Sequence, residues 1–180
     1  MDNVASDMID RETALADFDH ARDDFESAYS RVPDEALDYR PEGDDYSLAD
    51  LLPHITASIR RYSRQLDKMK EVEYQELRLA ADAREAELIA HHRNTRSDAN
   101  LISRDRTTAL DEMEAAHDQL AAKLRDMAYS DYTRTAPVYY PGSESVYPTR
   151  PADLTGWLVD HYREHVAQVN ELLEKWRNNA

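Results

Sequence analysis

Ala14, Phe18, Ala21, Phe25 and Ala28 follow one another at spacings of four, three, four and three, which gathers them on one stripe of an α-helix. The same period returns in Leu48, Leu51, Leu52, Ile55, Ile59, Tyr62 and Leu66, then in Leu110, Met113, His117, Leu120, Leu124 and Met127. It returns again in Leu154, Leu158, His161, His165, Val169, Leu172 and Trp176. Four such stripes, only three glycines in 180 residues and no clear alternating runs of β-branched residues predict an all-α chain. The length suits one domain over residues 1–180, with 1–9 a polar tail.

Helix boundaries follow from punctuation. Pro33 ends the first helix, and "EGDD" around Gly43 is a loop. Ser47, with Asp50 three residues on, has the spacing of a capping box at the start of the second helix. Pro53 sits close enough to that start for its missing N–H to cost little. From Lys68 to Asn100 the chain is strongly charged with a thinner stripe, Val72, Leu77, Ala81 and Leu88, so the second helix runs on or another segment follows. Residues 129–149 contain Pro137, Pro141, Gly142 and Pro148 among five tyrosines and read as a long ordered loop before a helix that begins at Thr149 or Asp153.

Charge and composition remove whole classes of function. Without cysteine there is no disulfide, thiolate metal site or cysteine nucleophile. A net charge of −15 repels polyanions, and the nearest approach to a basic patch, Arg60 and Arg61, reads as an exposed helix face of mixed charge. Nucleic acid is therefore not an expected partner. No leader-like start and no apolar stretch of membrane-spanning length is present, which predicts a soluble cytoplasmic protein with no membrane partner.

Within the fourth stripe, His161 and His165 are four residues apart, so both imidazoles reach one point on the same helix face. That is the geometry of metal chelation, and also of two core histidines satisfied by carboxylates or backbone. A third nitrogen is available from His54, early in the second helix. In a four-helix bundle, metal sites are built from inward side chains on facing helices. Three histidines on Zn(II) or a similar ion leave at least one position open to water or substrate.

Two segments carry a family resemblance. "PEGDDYSLADLLPHITASI", Pro41 to Ile59, and "ADLTGWLVDHYREHVAQV", Ala152 to Val169, resemble the entry to helix two and the helix-four histidine pair of the DinB/YfiT-like family of metal-dependent four-helix-bundle enzymes. The second includes a glutamine three residues after the second histidine. The resemblance implies an up-down-down-up four-helix bundle with a long loop between the third and fourth main helices, and a divalent metal, zinc, nickel or iron(II), held by His54, His161 and His165. It also implies a small-molecule substrate, with a low-molecular-weight thiol as one candidate, and transferase or hydrolase chemistry, with a homodimer as an assembly to test. The charged segment after the second helix and the tyrosine-rich loop depart from the family pattern. No general base is identifiable. The competing readings are a metal-bearing module that sequesters a ligand without turnover and a helical interaction protein with structural histidines.

Other residues carry two readings each. His117 is a further ligand, a donor to one, or a core histidine. Asp50 caps its helix or accepts the second ring N–H of His54. Tyr139 and Tyr140 line a pocket mouth or cover the bundle end. His20, His91 and His92 are expected to face solvent, the last two because neighbours on a helix diverge by about 100°.

Overall fold

The computed structural model describes residues 10–97 and 102–179; the predicted polar tail lies outside the described residues. Four long helices carry the fold: α1 (Arg11–Tyr29), α2 (Leu51–Glu71), α4 (Ile102–Asp126) and α6 (Pro151–Asn179). A shorter helix, α3 (Arg84–Arg96), lies between α2 and α4 in the chain, and a single turn, α5 (Tyr129–Tyr132), follows α4. α1 packs chiefly against α6, and α2 against α4, with α2 and α6 also in contact.

The stripes become the core. Phe18, Phe25, Leu51, Ile55, Ile59, Met113, Leu120, Leu124, Leu154, Leu158 and Val169 are all fully buried in one cluster. Burying a side chain of this size contributes about 1.5–3 kcal/mol, so the periodicity alone accounts for the packing of the four long helices. Asp10 caps α1, its carboxylate accepting from the Glu12 and Thr13 amides. At the entry to α2 the capping-box bonds form as expected: the Ser47 amide donates to Asp50 and the Asp50 amide to Ser47 Oγ. The helix proper starts a turn later, at Leu51, which puts Pro53 in the first turn, where no intrahelical acceptor is lost.

The charged segment after α2 is not one helix. Glu73 and Tyr74 take positive φ (51° and 61°) and end α2, β1 (Leu77–Arg78) follows, and then α3. The inward face of α3 is Ile89, His92 and Arg96 rather than the predicted stripe; Ala81 is exposed. His92 thus corrects the expectation of a solvent-facing side chain. It is 1% exposed and its Nδ1 meets Asp105 Oδ1 at 2.8 Å. Around it Arg96 bridges Asp50 (2.9 Å) and Asp105 (3.3 Å), all three buried, and Arg93 adds a second bond to Asp50 at 2.7 Å. Polar groups taken out of water must be paired, and this network pairs them while fastening α3 across α2 and α4.

The tyrosine-rich segment is also more regular than the expected loop. It contains α5 and the strands β2 (Ala136–Tyr139) and β3 (Val146–Thr149), antiparallel, with β1 parallel on the other edge of β2. Pro137 faces Pro148 across the hairpin, a rung that needs no N–H from either strand. The parallel pairing of β1 begins only at Val138, so Pro137 removes no bond there. Gly142 turns the hairpin at φ 77°. This small sheet sits on an otherwise helical chain.

Candidate metal centre

α2 and α6 bring three histidines together. His54 stands one turn into α2, and His161 and His165 are one turn apart on α6. Ring centroids lie 4.9 Å (His54–His161), 4.8 Å (His54–His165) and 4.5 Å (His161–His165) apart. One ring nitrogen from each lies within 4.8 Å of the other two, and among the described residues no carboxylate joins the group. His165 is buried and the other two are half-buried.

The outward nitrogens of His54 and His165 are held. His54 Nδ1 meets Glu85 Oε1 at 2.7 Å, and His165 Nδ1 meets Gln168 Oε1 at 2.7 Å. Both oxygens are acceptors, so each ring carries its proton on Nδ1 and turns the Nε2 lone pair toward the cluster. Glu85 Oε1 also accepts from the Tyr46 hydroxyl at 2.8 Å, and the Tyr46 ring lies 4.5 Å from that of His54. Those bonds, the one from His54 foremost, push the Glu85 carboxyl down to about 2. Burial, and after it the neighbouring imidazoles, push His161 down to about 3 and His165 to about 4, so both rings are neutral. The buried Nε2 atoms of His161 and His165 have no hydrogen-bond partner. Two buried ring nitrogens without a partner, that of His165 on a ring held by Gln168, close to a third imidazole, fit a divalent cation, since a buried unpaired nitrogen otherwise costs about 1–3 kcal/mol.

The remaining residues separate clearly. His117 is a core histidine: its Nε2 donates to Asp19 (2.9 Å), its Nδ1 accepts from the Tyr162 hydroxyl (3.2 Å), and it stacks on Phe18 with centroids 3.8 Å apart. Asp50 caps and binds the α3 arginines rather than His54. Arg60 pairs with Glu112, while Arg61 lines a cavity of about 490 Å³ whose wall includes Glu85, the partner of His54. Tyr140 lines the same cavity and Tyr139 does not; its ring stacks on Arg78 instead. His20 and His91 are exposed, as expected. Glu85 has no counterpart in the sequence reading, because nothing in its charged surroundings distinguishes it until α3 is docked on α2.

A helical bundle with a three-imidazole cluster between facing helices is the framework of a metal-site protein. The model of the DinB superfamily matches residues 17–169, and the chain belongs to that superfamily. Among solved structures the fold is similar to that of YfiT from Bacillus subtilis, described as a probable metal-dependent hydrolase with an unusual four-helix bundle topology. The TM-score is 0.67 at 17% identity, over 98% of this chain and 93% of that one. No curated protein matches the sequence. Among the described residues no helix is long and apolar enough to cross a membrane.

Proposed function

We propose that His54, His161 and His165 hold one divalent cation through their Nε2 atoms and that the protein is a metal-dependent enzyme acting on a small molecule. The observation that carries this reading is the pair of buried, unpartnered Nε2 atoms on His161 and His165, facing His54. The description of the similarly folded YfiT as a probable metal-dependent hydrolase supports it. Bound there, the cation would act as a Lewis acid, lowering the pKa of a water or of a thiol at its open position.

The protein's own residues have definable parts. Glu85 and Gln168 hold the rings of His54 and His165 and fix their tautomers. Tyr46 packs on His54 and holds Glu85 in turn. The cavity that begins at Glu85 receives the substrate. Between hydrolysis and transfer to a thiol, the all-nitrogen donor set with an open position suits either. Transfer is the more specific proposal, because a soft thiolate competes well for such a site.

Cobalt(II) substitution tests the reading. Cobalt entering a three-nitrogen site should give a visible spectrum that gains a sulfur charge-transfer band when a small thiol is added. A bound cobalt whose spectrum ignores thiol would rule out the thiol transferase and favour hydrolysis. A protein that takes up no cobalt would remove the metal reading altogether.

A further inference from the structure

The cavity that reaches the histidine cluster through Glu85, the partner of His54, and is lined by none of the three histidines themselves, is charged against the rest of the chain. Its lining includes four cations, Arg61, Arg64, Lys68 and Arg84, and two carboxylates, Asp82 and Glu85, in a protein of net charge −15. Both carboxylates are already engaged. Asp82 pairs with Arg64 and Arg84, and Glu85 accepts from His54 and Tyr46. Among the described residues Arg61 and Lys68 have no carboxylate partner; the Arg61 guanidinium lies over the Tyr62 ring, 5.1 Å from its centroid. Both side chains reach solvent, so their charge is available to a ligand rather than spent inside the fold.

Their positions are ordered relative to the histidines. His54, Arg61 and Lys68 succeed one another at seven-residue intervals, with Gln65 between the last two, so all lie along one face of α2. At 1.5 Å of rise per residue, Arg61 stands about 10 Å along the axis from His54. The wall between the ends is apolar and aromatic: Ala57, Tyr62, Leu79 and Tyr140. The Tyr140 ring is fixed, its hydroxyl accepting from Gln65 Nε2 at 2.9 Å and meeting Thr149 Oγ1 at 3.2 Å. Trp157, one turn before His161 on α6, packs against these tyrosines, its ring 6.1 Å from those of both Tyr62 and Tyr140.

We infer that the cavity receives an elongated small molecule whose reacting end faces the three histidines, whose middle lies on the tyrosine wall, and whose far end carries an anionic group, a carboxylate or phosphate, held by Arg61 with Lys68 beyond it. Arg61 is on this reading the specificity-determining residue, because a guanidinium offers a forked pair of donors to either oxyanion. The inference rests on the proposal that the histidines mark the reacting centre.

Three six-carbon ω-thiols that differ only at the far end test it: the carboxylate, the phosphate monoester and the alcohol. Their affinities are measured by calorimetry on the full chain, both loaded with zinc and stripped of it. At least one anionic probe should bind wild-type protein about tenfold more tightly than the alcohol, a modest factor because the cations are partly hydrated. Which of the two binds more tightly identifies the head group. Arg61→Met should bring the ratio close to one, and Arg60→Met, whose side chain turns to Glu112, should leave it unchanged. Equal binding of all three probes to the wild type, or a preference that survives in an Arg61→Met, Lys68→Met variant, would overturn the inference. If zinc binds but adds nothing to the affinity of any probe while the anion preference persists, the thiol reading fails and the anion site stands; if the protein takes up no zinc, the metal reading fails with the anion site still standing.

Discussion

Glu85 is the residue whose removal should speak most directly to how the cluster is held. Its carboxylate fixes His54 from the outside, and losing such a partner typically costs ten- to a hundredfold in metal affinity. Glu85→Ala should therefore weaken zinc binding by about that factor in competition with a chromophoric chelator; an unchanged affinity would show that packing against Tyr46 alone orients the ring. His117 gives a second residue-scale prediction. Burial lowers its pKa, so between that lowered value and about 6.5, the ordinary value for histidine, the unfolded chain binds a proton that the native state does not. The contribution to stability is present above that window and is lost as pH falls through it. Urea midpoints should drop from pH 7 to pH 5, and His117→Gln, which keeps a donor for Asp19, should drop less over the same interval whatever its starting stability.

The four long helices were legible because their inward faces are apolar at helical spacing, and the histidine cluster because two imidazoles four apart interrupt one of those faces. α3 was not. Its inward face carries Glu85, His92 and Arg96 around Ile89, and a polar face reads as solvated until its partners, Asp50 and Asp105, arrive from other helices. The hairpin was hidden by Pro137 and Pro148, which argue against strand pairing unless they fall opposite each other, as they do here. The polar anchoring of α3 predicts a steep local cost. Arg96 lies between two buried carboxylates, and Arg96→Leu leaves Asp50 with only the partly exposed Arg93 and Asp105 with only His92, which should destabilise the protein by about 3 kcal/mol in chemical denaturation. Arg93→Leu, at a side chain 44% exposed, should cost far less. Similar losses for the two variants would mean that the network does not hold α3 in place.

Over the whole molecule the net charge of −15 sets the outer field, and the cations of the cavity form a local exception to it. No saturable binding to duplex DNA is expected at moderate salt, since the described residues present no extended basic face to release counterions. Binding that weakens steeply with added salt would contradict that picture. The bundle holds α2 and α6 side by side, so that His54 and His165, more than a hundred residues apart in sequence, meet with their outer nitrogens already bound. The decisive measurement is the metal content of protein purified without chelator. About one divalent ion per chain is expected, lost in the His161→Ala, His165→Ala double variant and retained in His91→Ala, whose ring is exposed. Full retention of metal by the double variant would contradict the three-histidine centre.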